Sequence, residues 1–249
     1  KALVQLRERF NIESVMVAGI EVAFDTYLPG ASKKDLAQIV ADRYRFLTAK
    51  PGKAWHLYRR KGEKPIKVSE VGRLFDLVCH LQDEWQISDH EGRDRPEMRY
   101  HGYVKTWDNG QPLENEGDWR ARWEVTLRGG KLPCKTLQEL AQFDFVKLAP
   151  HFKFRRLADK LHPALRLPLM TWSADQLGMK GKYKRANKSM GGRLYSGTRE
   201  YRRATVADEM YESIRDCLTK LTRHWQSNLS GADFQAENRS QTRIGAGIQ

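Results

Sequence analysis

Apolar residues recur along the chain with two periods, and the switches between them outline the elements. Over residues 14–28, Met16, Ala18, Ile20, Val22, Phe24 and Leu28 fall on one face. Glu21 and Asp25 fall on the other, which is the period of two expected of a strand. Pro29-Gly30 ends that strand, and Ser32 is placed to cap a helix over 33–48, where Leu36, Ile39, Val40, Tyr44 and Leu47 keep helical spacing. After the Pro51-Gly52 turn, 53–60 predicts a short strand with Trp55 and Leu57 opposite His56, Tyr58 and Arg60. Val71, Leu74, Phe75, Val78 and Trp85 predict a second helix over 68–85, and the polar run 86–97 predicts a loop.

Two further strands follow. Residues 98–107 lead into the turn Asp108-Asn109-Gly110, and 118–128 return from it. In the returning strand Trp119, Ala121, Trp123, Val125 and Leu127 alternate with Arg120, Arg122, Glu124, Thr126 and Arg128, the clearest alternation in the chain. A helix near 136–149 ends at Pro150. The order β-α-β-α-β-β-α predicts an α+β fold: an antiparallel sheet with helices on one face and an open basic face on the other. Residues 1–160 form the expected sheet domain. Residues 161–249 form an extension with a basic loop, a long helix over 205–226 capped by Thr205, and a polar tail. The long helix suits core or oligomer packing, a homodimer included, better than recognition of a groove.

Charge narrows the function. The 249 residues carry 44 Lys and Arg against 31 Asp and Glu, a formal net charge of +13, which points to a polyanionic partner. Residues 178–203 concentrate that charge in Lys180, Lys182, Lys184, Arg185, Lys188, Arg193, Arg199, Arg202 and Arg203, with Glu200 opposing. Tyr183, Tyr195 and Tyr201 are interleaved, so the stretch is suited to gripping phosphates and stacking on unpaired bases. Cys79, Cys134 and Cys217 are too few and too scattered for a disulfide framework, and without a CxxC pair they do not suggest a zinc ribbon. No run approaches the ~18 apolar residues of a membrane span. No secretory signal is visible, so the expected location is cytoplasmic.

By strand parity the open face gathers Glu21 and Asp25 from the first strand. It gathers His101, Tyr103 and Lys105 from the third, and Arg122 and Glu124 from the fourth. Carboxylates with a histidine suit a hard divalent cation, Mg2+ or Mn2+, bound by Asp25, Glu124, Glu21 and His101. A tyrosine beside such a cation can attack a phosphodiester, with Lys105 or Arg122 meeting the charge that builds on phosphate. An antiparallel sheet also shows polar residues outward by default, and a carboxylate near arginines makes cross-strand ion pairs, so a solvated face remains the other reading.

The strand Gly19–Tyr27 (GIEVAFDTY), the run Ala54–Gly62 (AWHLYRRKG), the run His101–Gly110 (HGYVKTWDNG) and the run Trp119–Gly129 (WRARWEVTLRG) resemble, over roughly residues 14–130, the replication initiation factor family. Its members are rolling-circle initiators of plasmids and filamentous phages and related conjugative relaxases. The resemblance implies a fold akin to the HUH endonucleases, a divalent metal and a tyrosine that attacks a single-stranded or hairpin origin to form a 5′-phosphotyrosine. It implies Tyr103 as nucleophile, with Asp25 and Glu124 as metal ligands or their supports. Tyr103 is followed by Val104-Lys105 where the family pattern has an aspartate, and no His-hydrophobic-His motif is present. Tyr100 is the rival nucleophile, but parity turns it toward the helices. The expected function is therefore DNA strand nicking and rejoining. The alternatives are a non-catalytic DNA-binding initiator or regulator of a mobile element, and a metal nuclease that uses water.

Overall fold

The computed structural model describes residues 16–48, 55–59, 63–90, 96–155 and 208–229. Strand β1 (Gly19–Thr26) leads into helix α1 (Lys33–Phe46). Ser32 begins α1 with a capping box: its hydroxyl accepts from the Asp35 N–H, while the Asp35 carboxylate accepts from the Ser32 N–H. Strands β2 (His56–Tyr58) and β3 (Ile66–Lys67) follow, then helices α2 (Val68–Val71) and α3 (Leu74–Gln82). The single helix expected over 68–85 is split at Gly72, whose φ of 75° no helix accommodates.

Strand β4 (Gln86–Ser88) lies where a loop is expected from the sequence. Strand β5 (Met98–Lys105) is joined to β8 (Arg120–Arg128) through a small hairpin, β6 (Trp107–Asp108) and β7 (Gln111–Pro112). Asn109 and Gly110 turn that hairpin with φ of 48° and 81°, the left-handed pair a tight turn needs. Helix α4 (Leu137–Gln142) opens with a second capping box, Thr136 with Glu139. The remainder of the expected 136–149 helix is a 3-10 segment, Phe145–Phe152, which contains Pro150. Helix α5 (Asp208–Leu229) is the last described element.

The sheet is antiparallel throughout, with strand order β1-β8-β5-β4-β2-β3. This bears out the α+β expectation of an antiparallel sheet packed with helices. One face is the core. Val22, Val125 and Tyr100 share one row across β1, β8 and β5. The next row along the strands runs Phe24, Trp123, Gly102, Ile87 and Leu57. Trp123 is fully buried over Gly102, where an added Cβ would stand 2.4 Å from the indole Cζ3. Helix α1 lays Val40 on the same spot, and Leu77 and Leu81 of α3 pack in the same core. Burial of large aliphatic and aromatic groups at ~25 cal/mol per Å2 drives this layer. Arg43 of α1 reaches into it. Its guanidinium lies 4.5 Å above the Phe24 ring and donates to the carbonyls of Phe24 and Ala121 and to the Thr26 hydroxyl.

The C-terminal side of the fold joins the same core. Ile214 and Leu218 of α5 are buried in it, and the Phe145 N–H donates 2.9 Å to the Thr222 hydroxyl.

The opposite face of the sheet is polar but not the open basic surface expected from the sequence. Glu21 and Ala23 on β1 are exposed, yet His56, Gln86, Ser88, His101, Arg120, Glu124 and Thr126 are buried. Arginines and carboxylates alternate closely enough to cover one another, so the face is a packed ionic layer of mixed charge. Among the described residues no helix is long and apolar enough to cross a membrane.

Candidate active site on the polar sheet face

Register, which parity alone does not supply, decides which polar residues meet. Antiparallel pairing sets Asp25 opposite Arg122 and Arg122 opposite Tyr103. One row along, Ala23, Glu124, His101, Ser88 and His56 line up across five strands. Direct neighbours within a row and diagonal neighbours between rows are all within side-chain reach.

Glu124 is the hub. The Tyr103 hydroxyl donates to its Oε1 at 2.7 Å, and Arg122 approaches the same oxygen at 3.4 Å. His101 Nδ1 lies 3.3 Å from its Oε2. On the far side of the imidazole, Nε2 lies 2.8 Å from Gln86 Oε1 and 2.7 Å from the Tyr58 hydroxyl. The Tyr58 and His101 rings stack at 5.5 Å, and the Tyr103 ring tilts against His101 at 4.8 Å. The imidazole is therefore fixed from both sides.

Burial sets the protonation states. Glu124 is 4% exposed, which works against its charge, yet His101, the Tyr103 hydroxyl and Arg122 outweigh that cost and hold it below the ordinary carboxylate range. Burial lowers His101 against the opposing pull of Glu124, so the imidazole is neutral at neutral pH. Burial, and then the negative charge of Glu124, push the Tyr103 phenol well above its usual value. A protonated phenol thus donates to an ionised carboxylate.

Arg122 clamps Asp25 with two bonds of 2.6 Å, from Nε to Oδ1 and from a terminal nitrogen to Oδ2. That fork, more than its partial burial, holds Arg122 above its ordinary range. Arg120 adds a third bond to Asp25 at 3.1 Å and reaches Asp108 at 3.3 Å, while Lys105 donates to Asp108 at 2.8 Å. Glu21 accepts from the Thr126 hydroxyl at 3.2 Å.

Of the residues expected from the sequence, the structure gathers Tyr103, Arg122, Glu124 and His101 into one contiguous cluster, with Asp25 joined through Arg122. Lys105 sits at the margin with Asp108, and Glu21 lies on a separate row. The proposed ligands do not fit a divalent cation. Both Asp25 oxygens carry guanidinium hydrogen bonds, and only Glu124 and His101 stand together. Among the described residues no group of three or more His, Cys, Asp and Glu is placed to hold a metal. Magnesium and manganese favour an octahedral set rich in oxygen. Lys180, Lys182, Lys184, Arg185, Lys188, Arg193, Arg199, Arg202 and Arg203 lie outside the described residues.

The rival Tyr100 is on the helix side, 2% exposed, with its hydroxyl 2.8 Å from His151 Nδ1. Sequence reasoning missed Tyr58, Gln86 and Arg120. Tyr58 and Arg120 carried a usable signal, since each falls on the polar side of an alternating strand. Gln86 carried none, because its strand is three residues long. The chain matches no protein-family model, no curated protein and no solved structure.

Proposed function

We propose that this chain nicks and rejoins one DNA strand, with Tyr103 as nucleophile and Glu124 as its general base. The observation that carries the reading is the 2.7 Å hydrogen bond from the Tyr103 hydroxyl to the ionised Glu124. It is a nucleophile–base pair whose base is flanked by a third group, His101. As the phenolic oxygen attacks phosphorus, Glu124 takes its proton. The bond from phosphorus to the 3′ oxygen breaks, and that oxygen leaves with the electron pair and takes up a proton from solvent water. The product is a 5′-phosphotyrosine, and the reverse sequence reseals the strand. Arg122, 3.4 Å from Glu124, is the cation assigned to meet the charge that builds on the non-bridging oxygens.

DNA as substrate is supported by the net charge of +13 and by the resemblance to rolling-circle initiators over residues 14–130. The test is incubation with single-stranded and supercoiled DNA in magnesium, in manganese and in chelator, followed by denaturation and peptide mapping. A covalent adduct on Tyr103 that Tyr103→Phe abolishes is the expected result. A mapped adduct on any other residue reassigns the nucleophile.

A second reading, a DNA-binding protein without catalysis, is favoured by one observation: Asp25 satisfies both guanidiniums, so the network also closes on itself. DNA binding with no adduct under any of these conditions selects it.

A further inference from the structure

We propose that a cavity beside Tyr103 seats one unpaired nucleobase of a single DNA strand. The choice of DNA rests on the function proposed above, whereas the cavity and its chemistry do not. Pairing of β4 with β5 ends with Ile87 opposite Gly102, but β5 runs on to Lys105. Beyond that point the end of β2, the start of β4 and the β6–β7 hairpin enclose about 290 Å3. That is close to the lower bound of small-ligand pockets, ~300 Å3, and admits one ring system rather than a peptide helix or a folded ligand.

The lining matches a base in three respects. First, Tyr103 and Trp107 supply aromatic surface. Trp107 is 40% exposed on a hairpin of two-residue strands. Of the large apolar side chains left exposed among the described residues, it is the one that lines this cavity. Water is a poor neighbour for an indole, and a stacked base is a good one. Secondly, the wall offers both hydrogen-bonding senses. Gln86 brings a side-chain amide to the wall, with Oε1 2.8 Å from His101 Nε2. Glu84 adds an acceptor. A carboxylate in the wall disfavours a phosphate inside and suits the amino or imino group of a base. Glu84 is held with φ of 67°, a conformation a non-glycine residue adopts at a cost and one that recurs at functional sites. Thirdly, two cations also line the cavity: Arg59, in a surface pair with Glu63 at 3.2 Å, and the largely buried Lys105, paired with the exposed Asp108 at 2.8 Å. The Arg59 pair contributes little and can be exchanged for a phosphate that flanks a seated base.

The arrangement puts the base next to the strand that carries the nucleophile. Seating it would fix the register of the strand, so that a chosen phosphate meets the Tyr103 oxygen.

The test is equilibrium binding, by fluorescence anisotropy, of short homopolymeric single strands and of a fully abasic strand of the same length. The protein is used as the full chain and as its Trp107→Ala and Trp107→Phe variants, each checked by thermal melting. Loss of one stacked base predicts that Trp107→Ala binds base-bearing strands about 5- to 150-fold more weakly. Trp107→Phe, which keeps an aromatic face, loses less. On the abasic strand all three proteins bind alike. Equal binding of base-bearing strands by the full chain and Trp107→Ala overturns the proposal. So does an equal loss on the abasic strand, or a full chain that does not bind single strands. The two proposals fail separately: no adduct on Tyr103 with the Trp107 effect intact removes the nucleophile and leaves the base seat, and the converse result removes only the seat.

Discussion

Tyr100 and Tyr103 stand three residues apart on one strand and serve opposite faces of one sheet. Burial pushes both phenols well above their usual value, yet their partners differ. The Tyr100 hydroxyl meets His151, whose charged form burial disfavours, inside an aromatic layer with Trp55 and Trp123 nearby. The Tyr103 hydroxyl meets Glu124, which stays ionised because His101, Tyr103 and Arg122 offset its burial. A raised phenol alone is an inert core group. A raised phenol that donates to a lasting carboxylate has somewhere to send its proton.

The largest effect that can break this comparison is chemical. Glu124→Gln keeps the shape and removes the base, so the rate of adduct formation should fall by ~10²–10⁴-fold in a single-turnover assay. Undiminished adduct formation would leave Tyr103 no better equipped than Tyr100. Next comes packing on the core face. Gly102→Ala drives a Cβ into the Trp123 ring, 2.4 Å away, and should cost about 1–3 kcal/mol in urea unfolding. A neutral outcome would mean that the indole has room to shift. Smaller still, Tyr100→Phe removes one buried hydrogen bond, about 1 kcal/mol of stability, while leaving the adduct unaltered. Loss of the adduct in that variant would move the chemistry to the other face.

The gentlest probe is a slope against pH. Burial lowers the folded-state pKa of His101 below its ordinary 6.5, so the unfolded chain binds the extra proton first. Stability should therefore fall as pH drops below about 6.5, and His151 adds to the same trend. Glu124 is depressed below 4.5, so its contribution is present above that value and is lost only in stronger acid. His101→Gln should flatten the melting temperature between pH 6.5 and 5 without removing the acid transition. An unchanged slope would mean that His101 is not neutral in the folded chain.

Much of this division was legible in the residues. Alternation in 118–128 assigned Trp123 and Glu124 to opposite faces, and the same rule separated Tyr100 from Tyr103 and Val22 from Asp25. Register was not legible. Parity put Asp25 and Glu124 on one face as like ligands, but pairing sets Asp25 opposite Arg122, and the guanidinium claims it. Strand β4 escaped because only Ile87 of its three residues is apolar, too little for any period to show. The broken helices escaped because their interruptions are local: the left-handed φ at Gly72, and a 3-10 segment around Pro150 that keeps Phe145, Leu148, Ala149 and Phe152 buried. Burial of the polar face could not be read either, since it arises from long side chains leaning across rows.

The hairpin between β5 and β8 has a corollary for sequence change. Its two short strands pair only with each other, in a sheet of their own beside the six-stranded one. Its tip at Asn109-Gly110 can therefore lengthen or shorten, and Trp107 of β6 can be exchanged, outside the hydrogen-bonded ladder that positions Tyr103 and Glu124. Under the function proposed above, such changes would alter which strand sequence is bound while the Tyr103–Glu124 pair stayed in place.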